Sequence, residues 1–230
     1  MEGRVDPEIA ARLGTILGTI HADGSTHPAL RGTLADTSLF EELRVDPYYR
    51  TVARRHPDLA PGIEALIAAM DRPDNERTLV LGDFSPKNIL VHAGGLILLD
   101  FECAHAGDPA FDLGFFLTHL VLKEIRVIAA ADGHGPRYLG LTRGFWEAYL
   151  KRRALGPGAT AELIRRTNQH TAACCLARVD GKSPVEYLDE RGRALARSLA
   201  RRALQDEPSS WGEFIRLFVR EVEGEAAWPH

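Results

Sequence analysis

Asp83 and Asn88 stand in the loop Gly82-Asp83-Phe84-Ser85-Pro86-Lys87-Asn88, and Asp100 follows the apolar run Leu96-Ile97-Leu98-Leu99. An amide oxygen and a carboxylate are hard oxygen donors, and two such ligands, with room left for water and phosphate oxygens, suit Mg2+, which seldom takes an all-protein cage. Asp83, five residues before Asn88, is then a free carboxylate able to accept a hydroxyl proton beside a metal-bound phosphate. Against this stands the plain reading of a turn made from Asp, Pro and Asn. D-x-x-x-x-N, an apolar strand, a Gly turn, a second apolar strand and then D-F make a compound pattern that turn chemistry alone does not require.

The elements that must position these groups are short. Thr78-Leu79-Val80-Leu81, Ile89-Leu90-Val91 and Leu96-Ile97-Leu98-Leu99 are apolar runs bounded by turn residues and predict a small β element. A three-residue hairpin loop, Ala93-Gly94-Gly95, pairs His92 with Leu96, Val91 with Ile97 and Asn88 with Asp100, bringing amide and carboxylate together at the open end. A two-residue Gly-Gly loop opposes Asn88 to Phe101 instead and turns Asp100 to the other face. The three-residue loop is the expected one.

Elsewhere the apolar period is helical. Asp6-Pro7-Glu8 opens a helix to about Ala22, followed by a loop to Thr37, short helices near Phe40–Leu43 and Tyr48–Arg55, and a helix through Ile63, Leu66 and Met70 that Asp71-Arg72-Pro73-Asp74-Asn75 ends. Further helices are expected over Ala110–Ala130, Arg137–Arg153, Ala159–Arg178, Glu186–Leu204 and Ser210–Glu223. The fold class is therefore mainly α with a small central β-hairpin. One domain over residues 1–230 is expected: a helical entry (1–77), the loop, hairpin and following helix (78–120), and a helical remainder (121–230).

With 28 Lys/Arg against 32 Asp/Glu the net charge is −4, which does not suggest a nucleic-acid binder. Residues 137–204 nonetheless hold 14 Lys/Arg and 6 Asp/Glu, a basic stretch read first as solvated helix faces. Within it, Arg178-Val179-Asp180-Gly181-Lys182-Ser183-Pro184 reads as a charged turn between helices, with lining of the acceptor pocket as the alternative. Three cysteines make no disulfide framework, and Cys174-Cys175 read as buried small hydrophobes. No secretory pattern opens the chain and Phe111–Leu122 is too short to span a bilayer, so no membrane partner and a cytoplasmic location are expected. H-E-x-x-H and G-x-S-x-G do not occur, which leaves zincin-type and serine-elbow hydrolases without a motif.

L-G-D-F-S-P-K-N-I-L-V, L-I-L-L-D-F-E and G-D-P-A-F-D-L-G, in this order and spacing, resemble the aminoglycoside phosphotransferase and choline kinase-like family, which shares the protein-kinase-like fold. The match is sharpest over residues 79–120. The resemblance implies the C-terminal lobe of that fold and a kinase with an alcohol group as acceptor, using Mg2+ and ATP or GTP. It implies Asp83 as catalytic carboxylate, Asn88 and Asp100 as Mg2+ ligands, and Asp112 as a buried anchor for the catalytic loop. Glu102 would support the metal through water, and Lys87 would reach a phosphate or stay solvated. Many members carry His where Leu81 and Ser85 stand.

The N-terminal β lobe of that fold, with its Gly-rich loop and strand lysine, is not found. Gly14-Thr15-Ile16-Leu17-Gly18 lies in a helix pattern, and Gly181-Lys182-Ser183 lacks the upstream Gly of a Walker loop, since Leu176 stands there. The expectation is a lobe truncated from a longer enzyme and weak or inactive alone; the alternative is a non-catalytic lobe serving as a binding or interaction module. The face with Ile9, Leu13, Ile16 and Ile20 would then meet solvent and invite self-association or a partner. The expected partners are a nucleotide and a hydroxylated small molecule. Amino alcohols, sugars and antibiotics all stay open as acceptors, and the basic stretch leans against polycationic aminoglycosides.

Overall fold

A computed structural model describes residues 5–27, 32, 34–72, 75–130 and 138–226. Helix α1 (Pro7–Thr26) starts where the Asp6 carboxylate accepts the Glu8 N–H at 2.9 Å, with proline in the first turn. It continues past Ala22 to Thr26, through residues expected to form a loop, and His21 is buried within it. The loop expected to Thr37 lies partly outside the described residues, as do Pro73, Asp74 and Arg137.

The two short helices expected near Phe40 and Tyr48 are fused into one run: α2 (Ser38–Phe40), a π-helical segment (Glu41–Arg50) and α3 (Thr51–Arg55). Pro47 lies inside it and has no N–H to donate, and a widened turn accommodates such a residue. The Asp46 carbonyl is taken up by the Thr51 hydroxyl at 2.9 Å. Helix α4 (Ala60–Met70) follows.

The β structure is two separate antiparallel pairs rather than a lone hairpin. β1 (Thr78–Val80) pairs with β4 (His105–Gly107), while β2 (Ile89–His92) pairs with β3 (Gly95–Leu98). His105-Ala106-Gly107 has no alternating apolar pattern, so β4 carries no strand signal of its own. The remaining helices are α5 (Ala110–Ala129), α6 (Leu139–Arg153), α7 (Pro157–Asp180), α8 (Glu190–Asp206) and α9 (Trp211–Ala226). Among the described residues no helix is long and apolar enough to cross a membrane.

Two apolar clusters share α5 as their spine. Phe111, Phe115 and Ile125 face a core with Tyr49, Leu176, Leu199 and Phe214; Leu113, Phe116 and Leu117 face a second with Leu17, Phe84, Phe145 and Tyr149. Each such fully buried side chain contributes about 1.5–3 kcal/mol. In the second cluster α1 lies so close to α6 that a Cβ at Gly14 would stand 2.2 Å from the Phe145 carbonyl oxygen. That proximity corrects the expectation of a solvent-facing α1: Leu13 is buried, and Ile9 and Ile20 pack against the same core. The exposed apolar side chains include a group at the hairpin, Leu90, Val91, Ile97, Leu99 and Phe101. Cys174 and Cys175 are fully buried, and burial pushes the Cys174 thiol up to about 12, which keeps it protonated.

Candidate active site

The candidate site begins where β1 ends. Gly82 has φ +74°, and a Cβ there would stand 2.6 Å from the Cys103 Cβ, so the bend requires glycine twice over. The bend turns two backbone N–H groups toward the first turn of α5, where the Asp112 carboxylate accepts Leu81 N–H at 2.7 Å and Gly82 N–H at 2.9 Å. His21 Nε2 lies 3.2 Å from the same carboxylate, and His21 Nδ1 lies 2.9 Å from the Tyr149 hydroxyl. Asp112 and His21 are both fully buried. A buried carboxylate needs this many partners, and the chain α6–α1–α5 supplies them.

Asp83 follows directly and is 4% exposed. Its Oδ2 meets Arg44 Nη2 at 2.9 Å and Lys87 Nζ at 2.8 Å, while Oδ1 accepts the Ser85 hydroxyl at 3.2 Å. Arg44 comes from the π-helical segment. Its Nε donates to the Gly82 carbonyl at 2.7 Å and its Nη1 to the Leu43 carbonyl at 2.8 Å, and the guanidinium lies over Phe115 at 5.5 Å from the ring centroid. Phe84, next in the loop, points the other way into the second core, 5.1 Å from the Phe116 ring. The loop is thus pinned on both sides of Asp83.

The hairpin register differs from the expected one. The loop is two residues, Ala93-Gly94, with His92 opposite Gly95 and Val91 opposite Leu96, so Asn88 faces Leu99 and accepts its N–H at 2.9 Å through the backbone carbonyl. Gly95 stays in the ladder at φ +150°, a conformation that L side chains rarely adopt, and this removes one residue from the loop. Asp100 is therefore not a cross-strand partner of Asn88. It reaches the site because the chain leaves β3 through a left-handed step, with Asp100 at φ +65°.

Asp83, Asn88 and Asp100 line one small pocket together with Phe84, Ser85 and Phe101. Asn88 spends its amide N–H on the Asp83 carbonyl at 3.1 Å, leaving the amide oxygen as a donor atom. Asp100 is exposed, and no hydrogen bond or ion pair joins it to a described residue. One amide oxygen and one unpaired carboxylate fit Mg2+, which keeps several positions for water and phosphate. Glu102 is exposed in the next turn and does not line this pocket; Lys87, 65% exposed, pairs with Asp83.

Sequence reasoning missed Arg44 and His21, whose partners lie far along the chain. It also placed Arg178 and Lys182 first in a charged turn, whereas both line a larger cavity that Asp83 borders from the other elements. His119 borders the same cavity, and burial, with Arg178 nearby, holds its imidazole down at about 3 and therefore neutral.

A sequence model of the phosphotransferase enzyme family matches residues 1–155, well over half of the chain and all of Asp83, Asn88, Asp100 and Asp112. The chain belongs to this family. By family the protein is a kinase-type phosphotransferase. No curated protein sequence matches it significantly. Arg178 and Lys182 lie outside the matched residues.

Proposed function

We propose that this phosphotransferase-family chain moves the terminal phosphoryl group of ATP or GTP to an alcohol hydroxyl of a small molecule, with the C-terminal lobe of a protein-kinase-like fold as its frame. The observation that carries the reading is that Asp83 borders both the Asn88–Asp100 pocket and the large cavity. A carboxylate so placed can take a hydroxyl proton from one side while the phosphates lie on the other. Of its two oxygens, Oδ2 is held by Arg44 and Lys87, so Oδ1, engaged only by the Ser85 hydroxyl, is the one open to that proton.

Asn88 and Asp100 would hold Mg2+, which when bound supplies positive charge to the donor's phosphate oxygens. Lys87 is mostly solvated and can turn from Asp83 to a phosphate oxygen. Asp112 acts at a distance, by fixing the two backbone amides that precede Asp83.

Titration of ATP into the chain with and without Mg2+ tests the reading. Mg2+ should tighten ATP binding in the parent, and Asp100→Asn or Asn88→Ala should remove that dependence. Equal Mg2+ dependence in all three would overturn it.

A further inference from the structure

The cavity that Asp83 shares with the π-helical segment and the end of α7 has a volume of about 550 Å³ and is rich in charge. Its lining carries the cations Arg44, Lys87, Arg178 and Lys182. Three of them have carboxylate partners: Arg44 and Lys87 share Asp83, and Lys182 Nζ meets Asp46 Oδ2 at 2.5 Å. Arg178 has none among the described residues. Its Nη1 donates to the Ser183 carbonyl at 2.6 Å and more distantly to the Tyr48 hydroxyl at 3.4 Å, both neutral, and its Nε is buried with no acceptor among the described residues. A half-buried guanidinium without a counter-charge and with an orphaned donor is costly unless something supplies an anion.

We infer that the acceptor carries an oxyanion, a carboxylate or a phosphate, that Arg178 receives in this cavity while the acceptor's hydroxyl meets Asp83. The inference rests on the phosphotransferase reading of Asp83. The planar fork of a guanidinium suits two oxygens of one anionic group. Lys182 stands beside it on an exposed turn and adds charge, while Phe115 and Pro47 give the cavity apolar wall against which a carbon skeleton can lie. The lining also holds the carboxylates of Glu42, Asp46 and Asp83, of which Asp46 and Asp83 are taken up by Lys182, Arg44 and Lys87, so the charge left to meet an acceptor on the α7 side is that of Arg178. Arg178 and Lys182 also fall outside the residues matched by the family, where the features that set this chain's own acceptor are expected.

Calorimetric titration of the whole chain, without nucleotide, tests this with four probes: ribose 5-phosphate, gluconate, ribose and kanamycin. At least one of the two anions should bind about 10-fold or more tighter than ribose, and which of them does so separates phosphate from carboxylate. Arg178→Gln should bring that anion to the level of ribose, Arg178→Lys should keep part of the preference, and Lys182→Gln, on an exposed turn that tolerates change, should lose a smaller part. The inference is overturned if neither anion outbinds ribose, if kanamycin binds tightest, or if a folded Arg178→Gln chain binds the anion as the parent does. Asp83→Asn frees Arg44 and Lys87 from their carboxylate, so it is read in combination: Arg178→Gln should lower anion binding in the Asp83→Asn chain as it does in the parent. An anion held through Arg178 but never phosphorylated by the parent with ATP and Mg2+ would leave the Arg178 assignment standing and overturn the role given to Asp83.

Discussion

Arg44 reaches from the π-helical segment to the loop after β1 and holds it at two successive residues, its Nη2 2.9 Å from Asp83 Oδ2 and its Nε 2.7 Å from the Gly82 carbonyl. The pair is nearly dry, with side chains 11% and 3% exposed, so it positions the carboxylate rather than merely decorating a surface.

Arg44→Ala should therefore cost about 1–3 kcal/mol of stability, Lys87 remaining as a partner, and should slow transfer by more than that loss of fold explains. Arg44→Lys keeps the charge but cannot make both bonds from one fork, and should recover stability better than turnover. Urea denaturation and turnover on the two variants check this; equal recovery of both would contradict it.

Asp112 gives a prediction about stability alone. Asp112→Ala strands the Leu81 and Gly82 amides and the His21 imidazole in a fully buried site, at roughly 1–3 kcal/mol for each unsatisfied group. A large fall in melting temperature is expected. Asp112→Asn, which retains one acceptor oxygen, should fall less, and a melting temperature unmoved by Asp112→Ala would refute the anchor.

Acid should act through histidines that burial holds down, His119 and His170 together, and of these His170 lies fully buried in α7 with Nδ1 2.7 Å from the Tyr49 hydroxyl. Burial holds it down at about 4, whereas an unfolded histidine titrates near 6.5. Between those values the unfolded chain binds the proton and the folded chain does not, so stability is full above about 6.5 and is lost as pH falls through about 4, by roughly 3 kcal/mol in all. Denaturation at pH 7 and pH 5 should show part of this loss. His170→Phe, though less stable at pH 7, should have a flatter pH dependence; the same slope in both chains would contradict the assignment.

Much of this arrangement is legible in the sequence where the signal is local. The Asp6-Pro7 start, the apolar period of α5 and the compound pattern around Asp83 each depend on residues within a turn or two of one another. The hairpin register is not legible because it turns on the φ of one glycine: with Gly95 in the ladder, Asn88 meets Leu99 and not Asp100. Arg44 and His21 are not legible as site residues, since a charged or aromatic residue on a helix declares its partner only once distant elements have packed, whereas the segment with Arg178 and Lys182 reads as a charged turn first and as a pocket lining second. The π turn that aims Arg44 leaves only Pro47 as a trace, and a proline there reads equally well as a helix break.

The most direct test of the central claim is single-turnover transfer of label from γ-labelled ATP to a panel of hydroxyl acceptors in the presence of Mg2+, comparing the parent chain with Asp83→Asn. The substitution is nearly isosteric but leaves the nearly dry Arg44 without its counter-charge, so both chains are compared well below the unfolding midpoint of the variant, where the rate of transfer should fall by about 10²–10⁴. Transfer by a folded Asp83→Asn chain at the parental rate would contradict the account.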